Sequence, residues 1–136
     1  MFTYIHGISY EQVRDQPAFG SLWQELSPML QGARFLAAHN ASFDRGVLEA
    51  CCDAAGLPRV TQPFLCTVRL ARQQWRMKPA NLPAVCANLG IELVHHEALS
   101  DAEACAKIVL AAAKEGNPLE PLGAPKAPRR AATFAA

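Results

Sequence analysis

At 136 residues the chain fits one small domain, and an apolar share of 51% is enough to build a core, which excludes global disorder. The net charge of +1 provides no whole-chain attraction for nucleic acid, so any basic patch must be local. No apolar run approaches the roughly 18 residues of a membrane span, and the opening MFTYIHGISY lacks the basic stretch and apolar run of a signal peptide. A cytoplasmic protein with no membrane partner is expected.

Ser9 and Gln12 have capping-box spacing and predict one brief helical turn over Tyr10 to Arg14. Asp15 and Pro17 introduce a longer helix, whose Phe19, Leu22, Trp23, Leu26 and Leu30 make an amphipathic stripe. Pro28 should kink that helix or end it early. Arg34 to His39 (RFLAAH) suits a buried strand. A helix follows over Ser42 to Ala55, with Phe43, Val47, Leu48, Cys51 and Ala55 as its inner face and Gly56 and Pro58 at its end.

Pro63 to Thr67 reads as a second strand and Val68 to Trp75 as a helix, with Arg69, Arg72 and Arg76 on one face. Leu82, Val85, Cys86 and Leu89 make a fourth stripe, stopped by Gly90. Ser100 to Lys114 is the last helix, with a capping box from Ser100 and Glu103 and a stop at Gly116 and Pro118. Residues 1–115 thus form the domain, and the Pro- and Ala-rich residues 116–136 a disordered tail. Alternation of strands and helices argues for an α/β domain. Two strands are a marginal platform for this many helices, as if part of the sheet were missing.

Cys51, Cys52, Cys66, Cys86 and Cys105 are odd in number, widely spaced and mostly in apolar runs, so they read as buried free thiols in a reducing compartment. His95 and His96 with a distant Cys lack zinc-ligand spacing.

Two segments could carry chemistry. In AHNASFD, Asp44 lies one turn into a helix directly after a strand, where α/β folds place ligands. In HHEALSDA, an imidazole precedes Asp101 by five residues at the start of another helix. The two aspartates could converge on one cation, with a histidine beside them to take a proton from water. Plainer readings compete: acidic residues favour the first turn of any helix, and His39 could be a core or loop histidine.

Together these segments resemble the DEDDh 3′→5′ exonucleases, which have a ribonuclease H-like fold. AHNASFD is similar to their second motif and HHEALSDA to their third. IHGIS, FLCTVRLAR and NLGIEL extend the resemblance, in the family's order, over roughly residues 2–113. It is strongest toward proteins similar to the epsilon proofreading subunit of bacterial DNA polymerase III. The resemblance implies that Asp44 and Asp101 are metal ligands and that His96 is the general base, with His95 a neighbour. Asn40 and Phe43 would shape the site around the terminal nucleotide, and His6, Gly7 and Ile8 would border the substrate's 3′ end. It further implies two Mg²⁺ or Mn²⁺ ions, hydrolysis of a phosphodiester to a nucleoside 5′-monophosphate, DNA with a free 3′ end, preferably single-stranded, as substrate, and a DNA polymerase as partner.

The family's first motif, D-x-E on the first strand, has no counterpart here, and with it the first three strands of a five-stranded mixed sheet are expected to be missing. Asp101-Ala102-Glu103 is a literal D-x-E, but on a helix positions i and i+2 lie about 200° apart and cannot grip one ion. With half the family's carboxylates, this chain is expected to be marginally stable and inactive or nearly so, and a start codon placed too far downstream would explain it. Arg69, Arg72, Arg76 and Lys78 could track a phosphate backbone, although a solvated helix face is the preferred reading. Two alternatives to a nuclease stay open: a non-catalytic nucleic-acid-binding or polymerase-interaction module, and an unrelated α/β protein whose helix caps mimic the motifs.

Overall fold

Phe64, Leu65 and Cys66 form a strand buried at every position, and its two faces feed two different cores. Side chains alternate across a strand. Leu65 joins the larger core with Leu70, Leu82, Val85, Ile108 and Ala112, while Phe64 and Cys66 join a smaller one with Ala41, Leu36 and Leu48. The molecule is therefore a mixed α/β layering around a small parallel sheet. The computed structural model describes residues 7–94 and 96–121.

In chain order the elements are α1 (Tyr10–Val13), α2 (Phe19–Leu30), β1 (Leu36–Ala38), α3 (Ala41–Ala54), β2 (Phe64–Cys66), α4 (Thr67–Gln74), α5 (Leu82–Leu89) and α6 (Ala98–Lys114). β1 and β2 pair in parallel, Leu36 opposite Phe64, Ala37 opposite Leu65 and Ala38 opposite Cys66. Parallel strands need a crossover, and α3 supplies it. It packs against both strands, while α6 packs on β1, α4 and α5. Among the described residues no helix is long and apolar enough to cross a membrane.

Three helices end in the same way. Leu57 N–H donates to the Cys52 carbonyl, Ile91 to Cys86 and Asn117 to Ala112, each around a left-handed glycine: Gly56, Gly90 and Gly116. These are Schellman closures, which satisfy carbonyls that the helix leaves open. At the other end of α5, Asn81 Oδ1 accepts from Ala84 N–H at 3.1 Å.

Several expectations need correction. α2 runs through Pro28 to Leu30 without stopping early. Its stripe buries little beyond Trp23, with Leu22 45% and Leu26 38% exposed, because α3 is the main helix packed against it. The inner face of α3 is Ala41, Leu48 and Cys52, and Phe43 and Val47 are 69% and 48% exposed. The helix starts at Ala41 straight after left-handed Asn40, which rotates its register. α4 ends at Gln74, so Arg76 lies beyond the helix face of Arg69 and Arg72, in a left-handed turn (φ 55).

α6 begins two residues before Ser100 because the Glu97 carboxylate is its cap, accepting from Ser100 N–H at 2.7 Å. A charged cap also favours the helix dipole. Ser100 Oγ accepts from Val94 N–H instead, and Glu103 pairs with Lys107.

The first residues expected in a disordered tail are held against the domain. Arg34 donates to the carbonyls of Pro118 and Leu119, Asn117 donates to Gln74, and Leu119 packs on the larger core. Residues 122–136 lie outside the described part.

Ile108, fully buried, is the largest closed side chain of the core. Ile108→Ala should lower unfolding free energy by about 2–5 kcal/mol, read from the urea midpoint at unchanged m-value.

Candidate active site

β1 ends at Ala38 and delivers His39 to the C-terminal edge of the sheet, where α4 starts directly from β2. Thr67, the first residue of α4, is fully buried. Its hydroxyl donates to the Ala38 carbonyl at 3.4 Å and stands 2.9 Å from His39 Nδ1. With the hydroxyl proton on the carbonyl, the oxygen's lone pair faces the ring and His39 donates from Nδ1. This fixes the imidazole where the strands stop.

Beside it opens a cleft of about 580 Å³. Its walls are the end of β1 with the first turn of α3 (Ala37, Ala38, His39, Asp44), the start of α5 (Asn81, Leu82, Pro83), and one face of α6 (Ala98, Asp101, Ala102, Cys105). The α6 residues recur at i, i+3, i+4 and i+7, as a single helix face requires. Four of the lining residues are alanines, so the space exists because small side chains leave it open. Crevices at the carboxyl ends of parallel strands are the usual ligand position in α/β folds.

Asp44 and Asp101, 57 positions apart in sequence, both line this cleft. Burial pushes the Asp44 carboxyl above its usual value, against a backbone hydrogen bond and the His39 imidazole, which pull it down. Burial also pushes up the Cys105 thiol; the Thr67 hydroxyl and the His39 backbone oppose that, and the Asp44 and Asp101 carboxylates add to it. Cys105 is thus a neutral thiol on the floor, within electrostatic reach of both aspartates. A protonated thiol is a poor nucleophile.

The other expected residues sit elsewhere. His96 is exposed, with φ 69, in the turn leading to α6, and does not line the cleft. Asn40 (φ 67) and exposed Phe43 flank Asp44 at the start of α3. Gly7 and Ile8 precede α1 and do not line the cleft; His6 and His95 lie outside the described residues. Sequence reasoning overlooked Thr67 and Cys105. The second was detectable, because Cys105 follows Asp101 by one helical turn.

Hard carboxylate oxygens suit Mg²⁺ or Mn²⁺. Their number falls short: among the described residues no group of three or more His, Cys, Asp or Glu side chains could hold a metal ion. Asp44 and Asp101 offer part of a site.

The family described as Exonuclease matches residues 2–109. The chain belongs to the DEDDh exonuclease family. It is epsilon-like: 34% identical over 113 residues to DNA polymerase III subunit epsilon of Pasteurella multocida, covering 78% of this chain and 44% of that protein. With the Haemophilus influenzae epsilon subunit the identity is 35% over 113 residues, covering 78% and 43%. With DNA polymerase III PolC-type of Bacillus cereus it is 33% over 111 residues, covering 80% of this chain and 8% of that protein. The chain spans less than half the length of these relatives. No solved structure matches.

Two measurements test this geometry. Thr67→Val keeps the shape but removes the hydroxyl from buried partners, and should destabilise the fold by about 1–3 kcal/mol in denaturant titration. The Asp44 carboxyl titrates higher folded than unfolded, so its ionisation opposes folding at neutral pH and not below the unfolded value of about 3.9. In metal-free buffer Asp44→Asn should therefore raise Tm at pH 7, with the gain closing as pH falls through the carboxylate range.

Proposed function

We propose that this chain is part of a 3′→5′ exonuclease of the proofreading or repair type, acting on DNA and releasing nucleoside 5′-monophosphates by hydrolysis of the phosphodiester. The observation that carries the reading is the meeting of Asp44 and Asp101 in one cleft at the end of a parallel sheet, in a chain of this family. The small sheet is compatible with part of a ribonuclease H-like fold. Bacterial relatives named as DNA polymerase III components support DNA as substrate and a polymerase partner; a preference for a single-stranded 3′ end and a cytoplasmic location belong to the same proposal.

In this reading Asp44 and Asp101 would hold Mg²⁺ or Mn²⁺, two ions in the complete site. The metal, when bound, stabilises charge on the attacking and leaving phosphoryl oxygens. The protein's part is to aim both carboxylates across a cleft whose alanine walls admit a sugar-phosphate. His96, five residues before Asp101 and exposed in the turn outside the cleft lining, would have to reach into the cleft to accept a proton from water. Asn40 and Phe43, beside Asp44, would orient the terminal nucleotide, and His6, Gly7 and Ile8 would border the 3′ end.

The lack of a third ligand among the described residues has its own consequence. Two carboxylates should hold a divalent cation weakly, so the 136-residue chain alone would cleave slowly or not at all. The same shortage favours, as a second reading, a non-catalytic nucleic-acid-binding or polymerase-interaction module.

Paramagnetic Mn²⁺ titration should show weak, saturable binding that Asp101→Asn reduces about tenfold or more, a loss of only about 1.4 kcal/mol. Unchanged binding in Asp44→Asn and Asp101→Asn would remove the metal-site reading. Any cleavage of a labelled single strand must proceed from the 3′ end; release from the 5′ end would refute the polarity.

A further inference from the structure

From Ala54 to Ile91 the chain contains none of its 12 Asp and Glu but five of its 13 Lys and Arg: Arg59, Arg69, Arg72, Arg76 and Lys78. Arg59 is spoken for, donating to Asp53 and Glu49. The other four are exposed and, among the described residues, make no ion pair or hydrogen bond. That sets them apart within this molecule. Arg14, Arg34, Arg45 and Lys107 all have a carboxylate or carbonyl partner, and among the described residues only Lys114 shares the condition of the four. Glu115, the one carboxylate among the described residues that bonds to residues 69–78, is engaged by Gln74 and Trp75 at 2.8 and 2.9 Å.

An ordinary solvated face intersperses both signs, as the Arg45–Glu49 and Glu103–Lys107 pairs do here. Four unopposed cations repel one another. Arg76 adds a left-handed backbone (φ 55), disfavoured for a side chain of its size, which among the described residues no hydrogen bond or ion pair of its own side chain offsets.

The position of the stretch matters as much as its charge. The part that carries the four runs from Thr67, bonded to the cleft's His39, to Asn81, which lines the cleft. Arg69 lies two residues along α4 from Thr67, about 3 Å of helix rise. Lys78 lies three residues from Asn81, no more than about 11 Å of chain. Both ends of the basic stretch are therefore tethered to the cleft.

The geometry points to residues 69–78 as a docking surface for the phosphate backbone of a nucleic-acid strand whose end enters the Asp44–Asp101 cleft. This rests on the nuclease reading and adds to it the surface that holds the substrate beyond the reacting nucleotide. Guanidinium groups suit the task because they bind phosphate through two parallel hydrogen bonds.

The test is fluorescence anisotropy of a labelled single-stranded oligonucleotide with the full chain over a range of salt. Each phosphate contact contributes about 0.7 to the slope of log association constant against log salt. The fourfold variant R69Q, R72Q, R76Q, K78Q should lower that slope by up to about 3 and weaken low-salt binding by about tenfold or more. The single variants Arg72→Gln and Arg76→Gln should each lower it by about 0.7, which keeps the test valid if the fourfold variant misfolds by circular dichroism. Exchanging Arg14 and Lys107 for Gln should leave the slope unchanged.

A parent slope retained in the variants would overturn the surface while leaving the nuclease reading in place. A parent that ignores DNA but binds polyglutamate would overturn it in favour of an acidic protein partner. The Mn²⁺ titration reports on the carboxylates independently, so failure of the surface and failure of the site are distinguishable.

Discussion

The architecture turns on a single buried hydroxyl. The sheet has only two strands of three residues each among the described part, too little to align its own ends. Thr67 closes them: it leaves β2, opens α4, and ties the Ala38 carbonyl and the His39 ring at the end of β1. Because it is fully buried, losing a partner would expose the full desolvation penalty of that group. Everything that faces the cleft from β1 and α3 is placed relative to this tie.

From that anchor the cleft's chemistry follows. One aspartate arrives by way of β1 and α3, the other by way of α6, and they meet over methyl groups and a protonated thiol. The floor adds no charge of its own, so the field in the cleft comes from the two carboxylates and is moderated by His39. Such a site attracts cations and repels bare phosphate. A polyanion could approach only with a metal bound or with cationic groups nearby, and the unopposed arginines beyond the rim are of the sign required.

Much of this was legible in the sequence, because local signals agreed with the fold. The stripe of α5, its Gly90 stop and the glycine ends of α3 and α6 appear where the residues predict them. The failures share one cause. Leu22, Leu26, Phe43 and Val47 have helical periodicity, but periodicity names a face without naming what covers it. The start of α6 was misplaced because a glutamate cap resembles any charged residue on paper, and Ser100 had a competing backbone partner from six residues upstream. For the site, the carboxylates were readable from their motifs. Cys105 could be read from its spacing to Asp101, but the meeting of the two carboxylates in one cleft and the Thr67 tie depended on chain crossings that no spacing encodes.

The strap formed by residues 117–121 carries a practical consequence. Composition draws the edge of the folded unit at Gly116, but Arg34 from the approach to β1 and Gln74 from the end of α4 both close on the stretch that follows. Shortening the polypeptide at the glycine would strip both of a common clasp. A cut or fusion joint placed after Pro121 would preserve it.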